Sequence, residues 1–406
     1  MDVPPPNQLL AAVRSLPAAP ALLDHLTDAV PVYLVGGAVR DLLLGGRPLD
    51  LDLVVEGDPA QVAAAVGGEV RTHDRFGTST VTLDGVTYDL ARSRRETYAH
   101  PGALPDVSPA PLPEDLLRRD FTVNALAIAL VGAAAGSLEA APLGLEDLER
   151  RRLRVLHDAS FIDDPTRALR LARYASRLEF EIEPHTRTLL DSALDAGAIS
   201  TVSGSRIGAE LRLLAREPDP VSALRCVGEL GIAHAIHPAL GLDDEPLARR
   251  ALALLPADGR RDLLALALAA RHVPPPELAH LLHTLAFEAA DRYAILAAAT
   301  KAPALAGDLE RAGRPSEIAD AVGDAGLELV ALAGALGPDQ KAREWLGNLR
   351  HVRLEIDGND LIDAGVSEGP AIGVGLHAAL CAKLDGRVSG REAELREALQ
   401  AARASG

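Results

Sequence analysis

The sequence predicts an α+β N-terminal head, a small mixed sheet with helices, followed by an all-α remainder. Three observations carry this. Before Gly144, apolar strand-like runs at Val32–Val35 and residues 49–55 interrupt helical periodicity. The stretch STVTLDGVTYDLA sets Asp84-Gly85 between two β-rich arms, the composition of a two-residue hairpin. From Leu116 onward the chain reads helical, rich in Ala and Leu, punctuated by Pro and Gly, with few β-branched clusters.

Taken in order, helical periodicity over residues 9–30 leads into the strand at Val32–Val35. Gly36-Gly37 then opens a short helix, AVRDLLL, and a strand follows through residues 49–55. The hairpin occupies residues 79–91, and HPGALPDVSPAPLP, residues 100–113, is a Pro-rich loop. Breaks in the helical remainder are expected near Gly144, residues 218–220, residues 274–276 and Gly337-Pro338. No fixed-period repeat is present, and the Ala richness reflects helix propensity.

At 406 residues and 48% hydrophobic content, the chain can bury more than one core. Its two cysteines, Cys226 and Cys381, match no metal-ligand spacing and read as structural thiols of a reducing compartment. The start, MDVPPPNQLL, lacks a basic flank followed by an apolar run, and nowhere do about eighteen apolar residues run together. A soluble, cytoplasmic protein with no membrane partner is expected. The net charge of −17 argues against a nucleic-acid partner, but charge is local. RRLRVLHDASFIDDPTRALRLARYASR, residues 151–177, carries far more Arg than acid.

LVGGAVRDLLLGGRPLDLDLVV threads two carboxylates through a hydrophobic strand. By strand alternation Asp50 and Asp52 share one face, while Leu49, Leu51 and Leu53 face the core. Two carboxylates about 7 Å apart repel each other, and a divalent cation is the commonest compensation. Asp89, on the second hairpin arm, reaches the same site if that arm lies beside the aspartate strand. Gly36-Gly37, between a strand and a helix, lets bare backbone N–H groups approach a phosphate. Triphosphate and Mg²⁺ belong together, since Mg²⁺ takes carboxylates and substrate phosphates, and two ions can clamp attacking and leaving oxygens.

These segments, followed by YDLARSRRETY and LRRDFTVNALAI, resemble the class II tRNA nucleotidyltransferase and bacterial poly(A) polymerase family, within the polymerase-β-like nucleotidyltransferase superfamily. The resemblance is near-continuous over residues 33–177. It implies a nucleotidyltransferase head at 1–143, a helical neck carrying a nucleotide-base template at 144–217, and RNA-binding body and tail at 218–337 and 338–406. It assigns catalysis and Mg²⁺ to Asp50 and Asp52 and nucleotide binding to Gly36, Gly37 and Arg40, while Asp89 is a candidate third ligand on the hairpin reading alone.

In LRRDFTVNALA, Arg118, Arg119 and Asn124 have the forks and directional hydrogen bonds that hold phosphates and ribose. The resemblance implies the same contacts. Asp120 reads as the N-cap of a helix over residues 121–128, or as a neighbour orienting Arg119.

In DDPTRALRLARYASRL, Pro165 suits the first helical position and Asp164 the cap, which puts Arg167 in the first turn. Cytosine and adenine each present an amino donor beside an unprotonated ring nitrogen. A carboxylate and an Arg matched to that pattern leave unpaired groups against uracil and guanine, a mismatch worth a factor of ~10⁴ or more. The family's Glu-Asp-x-x-Arg motif implies this template role for Asp164 and Arg167, with Asp163 standing where Glu is usual. Arg170 and Arg173 continue the same helix face towards triphosphate or the RNA end.

The reading is therefore a template-independent tRNA nucleotidyltransferase that uses CTP and ATP to add CCA, or only the terminal A. CC-only relatives tend to lack the loop between the catalytic strand and RRDFT, which here is intact. A poly(A) polymerase is the runner-up enzyme, but its Gly-Arg-Arg-Phe-like signature is replaced by THDRFGTSTV. A catalytically silent RNA-binding protein is the non-enzyme alternative. Ser205-Arg206-Ile207 and IDGNDLIDAGVSEGPAIGVGL resemble family landmarks less specifically. The two His-Asp pairs, His73-Asp74 and His157-Asp158, read as surface residues or neighbours of the site, and no Ser nucleophile elbow, Walker loop or zinc spacing appears.

Overall fold

The computed structural model describes residues 3–73 and 77–405. Asp74, and with it part of THDRFGTSTV, lies outside the described residues. The chain divides into two compact units, Met1–Ser203 and Gly204–Gly406.

In the first unit the helical stretch expected over residues 9–30 is two helices, α1 (Pro6–Arg14) and α2 (Ala19–Leu23). Pro17 lacks the amide that continuation of α1 would require. Then follow β1 (Val32–Val35), α3 (Gly37–Leu43), β2 (Asp52–Val55) and α4 (Pro59–Val66). Asp58 caps α4 through the Ala60 amide, 3.0 Å away. The hairpin is β4 (Thr78–Leu83) and β5 (Val86–Arg92), preceded by β3 (Glu69–His73). Asp84 and Gly85, both at positive φ (51° and 80°), make the turn, as a primed hairpin turn demands. A separate ribbon, β6 (Arg94–Thr97) with β7 (Asp106–Pro109), leads to α5 (Leu112–Leu117).

The expected helix over residues 121–128 is absent. A single 3₁₀ turn, Thr122–Asn124, is followed by β8 (Leu126–Ala129), and β9 (Leu138–Ala140) comes next. LAIA is a short, wholly buried run, and periodicity cannot tell such a strand from a helix segment. Pairing with β1 on one side and β9 on the other overrides the helix propensity of its alanines.

The main sheet runs β3-β4-β5-β2-β1-β8-β9. All its pairings are antiparallel except β2 with β5. Leu34, Leu53, Leu90, Leu126 and Ile128 fill its buried face. The unit closes with α6 (Gly144–Glu149), β10 (Arg152–Leu153), α7 (Ser160–Asp163), α8 (Thr166–Leu178), β11 (Glu181–Ile182) and α9 (Pro184–Asp195). Buried Asp147 joins this part to the sheet by accepting from Thr122 Oγ1 (2.8 Å) and Arg154 Nε (2.9 Å).

The described residues of the second unit form helices joined by turns and loops. They are α10 (Gly204–Ala215), α11 (Pro220–Glu229), α12 (Ile232–Ile236), α13 (Glu245–Leu254), α14 (Arg261–Ala270), α15 (Pro275–Thr284) and α16 (Ala289–Arg311). After them come α17 (Pro315–Val322), α18 (Leu327–Ala335), α19 (Asp339–Gly347), α20 (Gly358–Asp363), α21 (Pro370–Leu384) and α22 (Arg391–Ala404). Pro220 and Pro275 open helices where chain breaks were expected, and Gly337-Pro338 separates α18 from α19. Among the described residues no helix is long and apolar enough to cross a membrane, and both cysteines are free thiols.

Candidate functional site

The parallel pairing of β2 with β5 sets Asp52 directly beside Asp89. The strand begins at Asp52, so Asp50 lies in the lead-in and outside the ladder. This corrects the expected alternation at its first member. Leu51 and Leu53 are buried, but Leu49 is 71% exposed, because the chain is not yet in the sheet there. All three aspartates are exposed, and Asp89 also accepts from Thr80 Oγ1 at 2.9 Å. Partial desolvation raises the Asp52 carboxyl above its ordinary value, Asp89 and Asp50 add to the rise, and Arg119 opposes it. Asp52 and Asp89 are thus adjacent carboxylates, with the Asp50 charge nearby and one opposing cation, and carboxylate oxygens are the donors that hard divalent cations take.

Gly36 bends the chain from β1 into α3 at φ 72°, ψ −136°, a conformation that side chains resist. A Cβ there would lie 3.2 Å from Arg119 Nη1. Arg119 thus sits against the glycine turn and within the field of Asp52. Burial lowers its guanidinium's affinity for a proton, and buried Asp115, accepting from Nη2 at 3.0 Å, works the other way. Arg119 Nε is buried without a hydrogen-bond partner among the described residues.

Asp120 caps no helix, since only the 3₁₀ turn Thr122–Asn124 follows and Phe121 holds its cap position, and it does not take Arg119 as its hydrogen-bond partner. Its Oδ2 accepts from Arg170 Nε (2.9 Å) and Nη2 (2.6 Å), and its Oδ1 accepts from the Phe121 amide and Asn124 Nδ2. Burial by itself would raise this carboxyl, but Arg170, Asn124 and the Phe121 amide hold it below the usual range. Asn124 Oδ1 in turn accepts from Arg40 Nη1 at 2.5 Å. Arg40, only 2% exposed, also pairs with Asp41 (2.7 Å) and lies over the Tyr174 ring, as does Arg173. Tyr174 meets Phe121 edge-on. The network joins Arg40 of the first motif, Asp120 and Asn124 of the second, and Arg170 and Arg173 of the third. In this structure Arg40 and Asn124 hold one another.

Pro165 has helical dihedrals, and Asp164 caps α8 by accepting from the Thr166 amide (3.1 Å) and hydroxyl (2.6 Å). Arg167, 5% exposed, donates to Ser160 Oγ (2.7 Å), His157 Nε2 (3.3 Å) and the Arg118 carbonyl (2.6 Å). Burial, then the Arg167 charge, lowers the His157 pKa and keeps the ring neutral, so that Nε2 can accept. The guanidinium borders a cleft of about 300 Å³ lined also by Tyr98, Glu96, Arg118, His157 and Asp163, at the lower end of small-molecule pockets.

The sequence reading did not single out Asp115, Glu96, Tyr98, Ser160 or Tyr174. Asp115 precedes Arg118 and Arg119 by three and four residues and binds both, a helical spacing that is readable in advance. Glu96 receives the Tyr98 hydroxyl, two residues on, at 3.0 Å, and Arg118 Nη1 from the end of α5 at 2.9 Å, a contact that only the fold reveals.

Residues 32–154 match the poly A polymerase head domain. A CC-adding tRNA nucleotidyltransferase of Deinococcus radiodurans is 37% identical over 350 residues, 84% of this chain and 81% of the relative. The chain belongs to the tRNA nucleotidyltransferase and poly(A) polymerase family. Another tRNA nucleotidyltransferase, the A-adding one of Geobacter sulfurreducens, is 44% identical over 52% of the chain, which spans only 25% of that relative's length. Among solved structures, the Thermotoga maritima CCA-adding enzyme complexed with tRNA_CCA superposes with a TM-score of 0.78 at 28% identity, covering 98% of this chain and 99% of that one. The family fold therefore extends through the helical remainder.

Proposed function

We propose that the chain is a cytoplasmic tRNA nucleotidyltransferase that adds C and A to the tRNA 3′ end from CTP and ATP, as the whole CCA or as the terminal A alone. The observation that carries this reading is the placement of Arg118 and Arg119. The Arg119 side chain stands against Gly36 and faces Asp52, while the Arg118 carbonyl holds the guanidinium of Arg167. Adjacent residues thus connect the acidic edge to the base-reading helix.

The carboxylates of Asp52 and Asp89, paired across β2 and β5, with Asp50 in the lead-in, offer only oxygen donors, and partial desolvation followed by the neighbouring Asp89 and Asp50 charges raises the Asp52 carboxyl, an environment that fits Mg²⁺. When bound, Mg²⁺ supplies Lewis-acid activation of the RNA 3′-hydroxyl and neutralises charge on the departing pyrophosphate. Gly36 leaves the backbone bare where the triphosphate enters, and Nη1 of Arg119, 3.2 Å from where a Gly36 Cβ would stand, supplies a donor there. Asp164 accepts from the amino group of cytosine or adenine and Arg167 donates to the ring nitrogen, so uracil and guanine leave buried groups unpaired. Arg40, Asn124 and Asp120 orient these groups through Arg170. The helices of 218–337 and 338–406 hold the rest of the tRNA.

The intact segment between β5 and LRRDFTVN, which folds as β6, β7 and α5, supports CCA or A addition. The 37% identity to a CC-adding relative over most of the chain favours CC addition as the second reading. Purified protein supplied with tRNAs ending before CCA, after C and after CC, and with CTP and ATP separately, distinguishes them. Growth of the CC end with ATP is expected in both leading versions. Growth with CTP that stops at CC supports the second reading, and an unbounded A tract would contradict tRNA end repair altogether.

A further inference from the structure

In the second unit, α17 and α21 are fastened together by Asp385, just past the end of α21. Its carboxylate accepts from both the amide (2.9 Å) and the hydroxyl (3.0 Å) of Ser316. Arg314 and Arg387, 3.7 and 3.8 Å away, balance its charge. This fastening sets the register of the two helices. One turn beyond Ser316 stands Asp320, and one and two turns before Asp385 stand Cys381 and His377.

Asp320 Oδ1 lies 3.5 Å from His377 Nε2, and the same nitrogen lies 3.5 Å from Cys381 Sγ. The three potential ligand atoms all fall within 4.8 Å of one another. A 3.5 Å separation between His and carboxylate is long for a charge-assisted hydrogen bond, which prefers about 2.7–2.9 Å. It matches the edge of a tetrahedron around Zn²⁺, where bonds of about 2.0–2.3 Å set the ligands roughly 3.3–3.7 Å apart. Two of the three edges therefore already have the length a shared ion requires. The donors are one imidazole, one thiol and one carboxylate, a mixed set that favours Zn²⁺ and Co²⁺ over Mg²⁺. In this the cluster differs from the all-oxygen set of the first unit.

We propose that Asp320, His377 and Cys381 form a metal site for Zn²⁺ or a similar borderline-soft divalent ion, with the fourth position open to water. The ion clips α17 to α21 and closes the chain between residues 320 and 381. The site is independent of the nucleotide-transfer chemistry, so its failure would leave the proposed function intact.

The test titrates chelator-treated, reduced full-length protein with Co²⁺, then with Zn²⁺. One equivalent of Co²⁺ per chain should produce a thiolate-to-cobalt charge-transfer band that Zn²⁺ displaces, and Zn²⁺ should raise the melting temperature. Cys381→Ser should lose both effects, and so should His377→Gln, at an imidazole that is 61% exposed and whose replacement spares the core. Cys226→Ser and the double variant Asp50→Asn/Asp52→Asn should keep both, which separates the cluster from the other thiol and from the acidic edge. A wild-type protein without the thiolate band, or a band that survives in Cys381→Ser, would overturn the proposal.

Discussion

The acidic edge and the proposed base-reading corner of the first unit treat charge in opposite ways. Asp52 and Asp89 are exposed neighbours on β2 and β5, with exposed Asp50 in the lead-in to β2, and partial desolvation, with Asp89 and Asp50 adding to it, raises the Asp52 carboxyl. Arg167 is buried and engaged by Ser160, His157 and the Arg118 carbonyl, and Asp164 is fixed as the cap of its own helix. Under the proposed function the contrast separates two tasks. A site that changes bonds keeps negative charge in reserve for an ion and a triphosphate, whereas a site that chooses between bases gains from groups whose geometry is set beforehand.

The largest way to break the comparison is at the acidic edge. Asp50→Ala or Asp52→Ala should reduce nucleotide incorporation by about 10²–10³-fold or more while tRNA affinity, measured by filter binding, stays near wild type. Incorporation that persisted would remove the metal assignment.

The connection between the regions is next. Asp120→Ala leaves Arg170 and Asn124 without their shared acceptor and should cost about 1–3 kcal/mol in urea unfolding of the first unit. The carboxyl is held below its unfolded-state value, so its contribution is complete above about pH 4. That contribution disappears as pH falls through the lower folded value. Asp120→Asn should therefore show a shallower loss of stability below pH 4 than wild type.

Gly36→Ala tests the turn itself. The positive φ and the 3.2 Å approach to Arg119 should together cost about 1–3 kcal/mol and weaken triphosphate binding, read as a raised KM for ATP. The smallest effect is expected at His157→Ala, which removes one of three partners of Arg167. It should lower stability by about 0.5–1.5 kcal/mol and relax discrimination against UTP only slightly.

What could be read in advance follows from the range of the interactions involved. The turn at Asp84-Gly85 and the cap at Asp164 are local chemistry, and both are present. The strand LAIA reads as helix from sequence because four buried residues have no period, and pairing with β1, distant in sequence, and with β9 decides its conformation. Leu49 departs from the expected alternation because it precedes the first residue of β2 and stands exposed. The motif residues were singled out by type and spacing, but the bond from Asp120 to Arg170 spans fifty positions and its existence depends on how α8 packs beside the sheet. Cys381 illustrates the same limit, since its proximity to Asp320 is created by helix packing and has no sequence spacing to announce it.

The division of labour between the two regions is tested most directly by measuring kcat/KM for CTP, ATP and UTP on one tRNA substrate with wild-type protein and Arg167→Ala. The account predicts that the variant still transfers nucleotides but loses its preference for C and A over U. A variant that continues to reject UTP as strongly as wild type would contradict it.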